Sequence, residues 1–349
     1  MENLKKEPSP EMIMQIGTGF WASKILLTAV KFQLFTLISQ KGSMSASEIK
    51  STLKLNCADR HLFDFLDILT SFGFLKRSGL LENAKYSNSV DTETFLNKGK
   101  PSYIGDLLEM MNNRLYGFWG NLDEALTTGL AQNEAKSGGE NLFDVLDKNP
   151  VLLKEFVNAM TSLQVGNFMK LTQTFDFSKY NTFLDVGGSA GVLSVMVARH
   201  YPQIKCTTFD RPSVEPIANE TIQSFQLADR VKAVSGDFFA VELPKSDVIT
   251  MGNILHDWNE ENKVRLIQKA YDALPDGGAF IAIEAVIDND RKQNTFGMMM
   301  SLNMLIESPD GEGFDYTFDD FNRWTEQVGF KSTAIIPLTG PSSAAIAYK

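Results

Sequence analysis

From Asn181 onward, short β-rich runs alternate with runs of helical periodicity, and this alternation limits the fold of the chain more than any other feature. The pattern predicts strands at residues 182–186, 206–209, 231–235, 248–251 and 280–284. It predicts helices at residues 191–201, 214–226, 260–274 and 319–328, and two closing strands at 332–336 and 344–347. Alternation at this spacing is typical of the α/β class, with a doubly wound parallel sheet between helices.

The first half of the chain is different, because helical periodicity extends from about Pro10 to about Phe175. A chain of 349 residues is long enough for two domains. Residues 21–39 are predicted to form one apolar helix, and its lysines favour a buried helix over a membrane span. A capping-box signature at Ser45 and Glu48 begins a second helix, and residues 59–72 form a third. Two short β runs around Gly79 complete the outline of a winged helix.

That outline raises the hypothesis of DNA binding, which the charges do not favour. The formal net charge is -10, and the helix over residues 59–72 carries more acids than bases. Recognition helices present basic and amide side chains to a groove. We therefore expect a packing or dimerisation module, with no nucleic-acid or membrane partner.

Cysteine and histidine usage limits the chemistry further. Only two cysteines, Cys57 and Cys206, and three histidines occur, all far apart in sequence. This predicts neither a disulfide framework nor a metal site, and it fits a reducing cytoplasm.

A glycine-rich turn follows the first predicted strand of the second half. The strand runs through Asp185 into Gly187-Gly188-Ser189-Ala190-Gly191, and the next strand ends at Asp210, which is placed to bind ribose hydroxyls. Asp237 and Phe238 follow the third strand. There an acid can contact the amino group of an adenine, and an aromatic ring can stack on that base. The turn lacks the lysine of a P-loop and the spacing of a dinucleotide site. Taken alone, it is equally an ordinary turn that needs glycine.

The strongest feature is the run Asn253-Ile254-Leu255-His256-Asp257-Trp258 after the fourth strand. It places His256 at the carboxyl edge of the sheet, on the side of the glycine turn. A neutral imidazole there can remove a hydroxyl proton near pH 7. Glu284 ends the neighbouring strand and can orient the imidazole.

Together these runs resemble the small-molecule O-methyltransferases that include the acetylserotonin, caffeic acid and bacterial polyketide enzymes. The matching stretches are Leu184-Asp185-Val186-Gly187-Gly188, Phe209-Asp210-Arg211-Pro212, Gly236-Asp237-Phe238-Phe239, Leu255-His256-Asp257-Trp258 and Ser301-Leu302-Asn303-Met304-Leu305. The resemblance implies a class I methyltransferase domain, a Rossmann-like parallel sheet with one antiparallel strand, behind a mostly α winged-helix-like dimerisation domain. The implied division is dimerisation domain 1–100, helical linker and substrate-pocket segment 101–175, and catalytic domain 176–349.

The resemblance also implies S-adenosyl-L-methionine as the cofactor, no metal, a homodimer and a set of site residues. The implied cofactor-binding residues are Asp185, Gly187, Gly188, Asp210, Asp237, Phe238 and Trp258. The implied base is His256 with Glu284 as companion, and a second acid supports it, Asp315 by spacing or Glu312 as the alternative. The implied substrate-binding residues are Met160, Met300 and Asn303.

The sequence departs from the family pattern at two further places. Ser189 replaces the usual third glycine of the turn, and Gly252 stands where many plant members place a lysine near adenine. We expect methyl transfer to a hydroxyl of a small aromatic molecule, with His256 as general base. The alternatives are N- or C-methylation on the same scaffold and, from another class, a winged-helix regulator that senses a ligand.

Overall fold

The computed structural model describes residues 8–137, 142–308 and 311–349. The chain divides into two compact units, Met1–Asn113 and Arg114–Lys349. The finer division at residues 100 and 175 stays a prediction.

The first unit is helical with a small sheet. Its helices are α1 (Glu11–Gly17), α2 (Gly19–Lys31), α3 (Leu34–Lys41), α4 (Ala46–Leu53), α5 (Asp59–Ser71), α6 (Val90–Phe95) and α7 (Gly105–Met110). Its strands are β1 (Met44–Ser45), β2 (Leu75–Ser78) and β3 (Lys85–Asn88), antiparallel in the order β1-β3-β2. Ser45 and Glu48 close the capping box at the start of α4. The predicted helices at 45 and 59–72 and the β-ribbon after them are therefore present.

The apolar segment predicted as one buried helix over 21–39 is two helices, and the first part of it is exposed. Gln33 adopts a left-handed conformation with φ 52° and separates α2 from α3. Leu34, Phe35 and Ile38 of α3 are buried, whereas Trp21 is 61% exposed. Ile13 and Ile16 of α1 are more than 70% exposed, at 74% and 73%. Among the described residues, Glu11–Lys31 is the one helical stretch long and apolar enough to cross a membrane, a property that core helices and signal sequences share.

The second unit is built on a seven-stranded sheet in the order β6-β5-β4-β7-β8-β10-β9. The strands are β4 (Thr182–Val186), β5 (Lys205–Asp210), β6 (Val231–Ser235), β7 (Val248–Gly252), β8 (Ala279–Glu284), β9 (Ser332–Pro337) and β10 (Ser343–Tyr348). The first five are parallel, and β10 is antiparallel to both β8 and β9. The predicted parallel sheet with one antiparallel strand is confirmed.

The second unit also contains helices, some of which cover the two faces of this sheet. They are α8 (Tyr116–Phe118), α9 (Leu122–Thr128), α10 (Leu142–Lys148), α11 (Pro150–Thr174), α12 (Val192–His200), α13 (Glu215–Ser224), α14 (Glu260–Ala273), α15 (Thr295–Glu307) and α16 (Phe318–Val328). One face packs Phe280 against Phe321 and Trp324, and the other packs Phe183 and Val248 against α12 and neighbouring segments. Burial on both faces explains why the central strands are almost wholly apolar. Two core layers thus fix the carboxyl edge of the sheet, where the candidate site lies.

Candidate active site

The glycine turn connects β4 to α12 at the carboxyl edge of the sheet. Gly187 and Gly191 have φ of 69° and 73°, a region that favours glycine. A Cβ on Gly187 would overlap the side chain of Ile254, and one on Gly188 would overlap Thr208. Ser189 adopts φ 51° without a glycine. The glycines are thus required by backbone conformation and by close packing, before any ligand is considered.

Two of the predicted cofactor acids lie beside this turn in different surroundings. Asp210 ends β5 and is half-buried, and its carboxylate accepts the backbone N–H of Ser189 at 2.7 Å and its neighbour's N–H at 2.7 Å. Asp185 is 3% exposed and accepts the hydroxyl of Thr250 at 2.6 Å. Burial raises the pKa of Asp185 to about 7. Asp210 thus braces the turn directly, whereas Asp185 faces the neighbouring strand β7.

The other predicted cofactor residues form an aromatic corner, which we define as Phe238, Phe239 and Trp258. The ring of Trp258 stands edge-on to both phenylalanines, with centroids 6.0 Å from Phe238 and 4.7 Å from Phe239. The carboxylate of Asp237 accepts the backbone N–H of Phe239 at 2.8 Å. The indole Nε1 of Trp258 is buried with no hydrogen-bond partner among the described residues. The aromatic corner therefore combines a flat apolar surface with one hydrogen-bond donor that has no partner among the described residues.

His256 lies on a short 3₁₀ turn, Leu255–Asp257, directly after β7. Its side chain is buried among acids. Nδ1 lies 3.3 Å from Oδ2 of Asp315, and Nε2 lies 3.5 Å from Oδ1 of Asp257. Of the two acids that the sequence left open, Asp315 reaches the ring, while Glu312 accepts a hydrogen bond from Asn259 at the surface.

Glu284 contacts His256 differently from the way we expected. Its Oε1 accepts the backbone N–H of His256 at 3.2 Å, so it holds the turn and not the imidazole ring. The reason is that β7 and β8 are neighbours, which brings the end of β8 against the main chain that leaves β7. The ring is held by Asp315 and Asp257, and no pattern in the sequence singled out Asp257 for this part.

The buried acids alter the proton affinity of the whole cluster. Burial disfavours the charged imidazole, but Asp315, with Asp257 and Glu284, outweighs burial and raises the pKa of His256 to about 10. Burial raises the pKa of Asp257 to about 7 and also raises that of Glu284. Protons are therefore shared within one coupled group. Such a group is a strong base whose neutral imidazole becomes more populated as the pH rises.

Comparison with known proteins decides which chemistry this geometry serves. The family model of an O-methyltransferase domain matches residues 119–331, and that of an O-methyltransferase dimerisation domain matches residues 14–98. The chain belongs to the O-methyltransferase family. It is 32% identical to the tetracenomycin polyketide synthesis 8-O-methyl transferase TcmO of Streptomyces glaucescens, over 97% of each chain. It is 27% identical to the N,N-dimethyltransferase OxyT of Streptomyces rimosus, over 91% of this chain and 90% of that one.

A solved structure supports the same assignment. Human N-acetylserotonin methyltransferase in complex with S-adenosylmethionine matches with a TM-score of 0.89 and 25% identity, over 100% of this chain and 99% of that one. This methyltransferase is accordingly an S-adenosylmethionine-dependent enzyme with a class I catalytic fold. The expected family, fold class, enzyme class and cofactor are confirmed.

The residues of this O-methyltransferase fit that cofactor. The three glycines of the turn carry no Cβ that would obstruct an amino-acid tail, and Asp210 stands at the strand end where ribose hydroxyls are bound. The aromatic corner offers faces for a base and the unpartnered Nε1 of Trp258. Within the described residues no cluster of His, Cys, Asp or Glu could hold a metal ion. The assignment of individual cofactor contacts stays a prediction.

The expected substrate residues of the methyltransferase lie on two helices. Met160 is half-buried on α11, and Met300 is half-buried on α15. Asn303, also on α15, accepts a hydrogen bond from the indole of Trp119 at 2.8 Å and donates one to Glu307 at 2.9 Å. The amide of Asn303 is therefore already oriented by protein partners. Its part in substrate binding stays a prediction.

Proposed function

We propose that this O-methyltransferase methylates a hydroxyl of a small aromatic molecule and that His256 removes the hydroxyl proton. The observation that carries the proposal is the buried imidazole held between Asp315 and Asp257. The relatives support the substrate class, because TcmO is named for polyketide 8-O-methylation. Met160 and Met300 are soft side chains suited to a flat ring.

When bound, S-adenosylmethionine supplies the methyl group on a positively charged sulfur. The acceptor oxygen would take this methyl group from the sulfur, and His256 would accept the hydroxyl proton at Nε2. Asp315 at Nδ1 fixes the tautomer that leaves Nε2 free to accept. After transfer both ring N–H groups face carboxylates, Asp315 and Asp257. The cluster therefore stabilises the imidazolium that the reaction forms.

The test is calorimetric titration with S-adenosylmethionine and S-adenosylhomocysteine, followed by transfer assays on a panel of phenols. The wild type and His256→Asn should both bind the cofactor, while the variant should lose about 10²- to 10⁴-fold in methyl transfer. Equal transfer rates in the two proteins would contradict the role of His256. Failure of the folded wild type to methylate any phenol would contradict the acceptor class.

N-methylation remains the second candidate, because the relative OxyT is named an N,N-dimethyltransferase. Arylamines matched in shape to the phenols belong in the same panel. A neutral amine attacks without prior loss of a proton, so its methylation should depend much less on His256 than methylation of a phenol. Preference for the amine, with little effect of His256→Asn, would favour this candidate. C-methylation would appear as an acid-stable product on carbon.

The proposal also includes the oligomeric state of the protein and its cellular compartment. We infer a cytoplasmic homodimer in which a second copy covers the exposed apolar surface of α1 and α2. The match of the dimerisation domain over residues 14–98, which contain most of that surface, supports a protein partner over lipid. The acidic net charge of -10 supports the expectation that neither nucleic acid nor an anionic membrane is bound.

A further inference from the structure

Arg114 carries a buried guanidinium group that the proposed mechanism does not use. Its side chain is 9% exposed and bridges two carboxylates. Nε and Nη2 donate to the two oxygens of Glu134 at 2.6 and 3.0 Å, and Nη1 donates to Oε1 of Glu307 at 2.9 Å. Burial would raise the pKa of Glu134, but the hydrogen bonds and the charge of Arg114 outweigh burial and lower that pKa. Three directed hydrogen bonds thus hold the planar guanidinium in one orientation.

The second oxygen of Glu307 connects this bridge to Asn303. Oε2 accepts a hydrogen bond at 2.9 Å from Nδ2 of Asn303, four residues earlier on the same face of α15. Oδ1 of Asn303 accepts the indole N–H of Trp119 at 2.8 Å. A carboxylate can only accept a hydrogen bond, and an indole N–H can only donate one. The two partners therefore allow one orientation of the amide and exclude its flipped form.

The end of α15 that carries Glu307 is held by the segment that carries Glu134. The backbone N–H of Gln132 donates to the carbonyl of Ile306 at 2.9 Å. The side-chain amide of Asn133 donates to the carbonyl of Glu307 at 2.9 Å. Both carboxylates of the bridge therefore lie on main-chain segments that are hydrogen-bonded to each other.

The amide of Asn303 lies on a helix that borders the proposed base. Helix α15 packs against the 3₁₀ turn of His256. Glu307 is close enough to Asp257 for the two carboxylates to repel each other, and Asp257 lies 3.5 Å from Nε2 of His256. Met300, which is expected to contact the acceptor ring, is one turn before Asn303 on the same helix face. The network of Arg114 thus ends where the acceptor molecule is expected.

One N–H of the Asn303 amide has no partner among the described residues. The amide nitrogen carries two N–H groups, and the structure uses one of them, toward Glu307. Asn303 is 7% exposed. A buried N–H without a partner is rarer in folded proteins than a carbonyl oxygen with a spare lone pair. An oxygen of a bound molecule would complete the hydrogen bonds of this amide.

We propose that Asn303 donates this N–H to a carbonyl oxygen of the acceptor, and that Arg114 is a positioning residue that fixes the amide through Glu307. The inference rests on the proposed function and deepens it, because it names the acceptor class as phenols that also carry a carbonyl group. A carbonyl oxygen can only accept, so it matches an amide that is fixed as a donor. Without the guanidinium, Oε1 of Glu307 loses its partner, and the carboxylate can turn away from Asn303. The amide can then flip and present its oxygen, which repels a carbonyl.

The first test follows the indole N–H of Trp119, which reports the orientation of the amide with no acceptor present. It compares Arg114→Met with Arg114→Met/Glu134→Gln, a double variant that leaves no unpaired carboxylate at position 134 and serves if the single variant fails to fold. Lys136→Met breaks an exposed ion pair with Glu124 close to the same segment and is the control. Hydrogen exchange is measured by NMR of indole-labelled tryptophan, and Trp119→Phe assigns the signal.

Exchange of the Trp119 indole N–H should be about tenfold faster in both Arg114 variants, the effect of losing one buried hydrogen bond. It should be unchanged in Lys136→Met. Unchanged exchange in a folded Arg114 variant would overturn the proposal.

The second test compares methyl transfer to a hydroxyaryl ketone and to the matched alkyl phenol, in which a methylene replaces the carbonyl. The wild type should prefer the ketone by about tenfold or more in kcat/KM, since the alkyl phenol leaves the N–H of Asn303 unpaired. The Arg114 variants should lose this preference, mainly through a higher KM for the ketone, whereas general damage to the fold would impair both phenols. Equal use of the two phenols by the wild type would contradict this inference alone. Absence of transfer to every phenol would instead contradict the proposed function.

Discussion

The imidazole Nδ1 of His256 lies 3.3 Å from Oδ2 of Asp315, although 59 positions separate the two residues in sequence. The contact joins the turn after β7 to the segment before α16. It leaves Nε2 as the ring nitrogen that, in the proposed mechanism, takes the hydroxyl proton of the methyl acceptor. Its removal therefore tests the proposed mechanism most directly.

Asp315→Asn should reduce kcat by about 10²-fold or more while the affinity for S-adenosylmethionine is retained. The amide no longer raises the pKa of His256, so the acidic limb of the pH profile should also move to lower pH. Steady-state kinetics at several pH values measure both effects. Glu312→Gln is the matched control, because Glu312 lies at the surface on Asn259, and it should leave both unchanged. Equal effects of the two substitutions would contradict this assignment.

The activity of the wild type should rise with pH from 7 to 9. His256 accepts a proton only when neutral, and its pKa is raised from 6.5 to about 10. The neutral form therefore increases as the pH approaches that value from below. The measurement is kcat/KM for a phenol across this range, with S-adenosylhomocysteine release as the readout. A profile that is already flat above pH 7 would show that His256 does not limit the reaction.

Gly187→Ala should weaken S-adenosylmethionine binding by tenfold or more. The added methyl strains a backbone at φ 69° and overlaps Ile254, which lies just before His256. Gly277→Ala is the matched control, since Gly277 has φ 80° but nothing within 4 Å of an added Cβ. It should cost about 1 kcal/mol of stability and leave cofactor affinity unchanged. Calorimetric titration of both variants with S-adenosylmethionine separates the general cost of a left-handed alanine from a specific effect on the cofactor turn.

Replacing apolar residues of α1 and α2 should dissociate the proposed dimer. The double variant Ile13→Asp/Trp21→Asp places charge at positions that are 74% and 61% exposed in the single chain. Sedimentation velocity should show a dimer for the wild type and a monomer for the double variant. Val90→Asp, at a 70% exposed position on α6, is the control and should remain dimeric. A monomeric wild type that floats with liposomes would contradict the proposed partner.

Much of the catalytic fold was predictable because strands that are buried on both faces have continuous apolar sequences. The strand predicted at 280–284 is observed as Ala279–Glu284, all six residues of which are buried. The prediction of one continuous helix over residues 21–39 was wrong, because the structure has two helices there. The helix breaks at Gln33 because this residue adopts a left-handed conformation. No glycine or proline marks that break in the sequence.

The candidate site was predictable only in part. Strand ends located His256 and Glu284, but the part that Glu284 takes depends on which atom of His256 it meets. The choice between Asp315 and Glu312 depended on how a loop folds back, which spacing alone does not determine.

The strand order of the large sheet also constrains how the protein is made. Strand β9 leaves the ribosome before β10, yet it joins the sheet only through β10, which lies between it and β8. Until β10 emerges, the edge of β8 that ends at Glu284 has no partner there, and Ser343 is the residue of β10 that comes to pair with it. A nascent chain paused before β10 would therefore present an apolar strand edge, the kind of surface that chaperones bind and that aggregates.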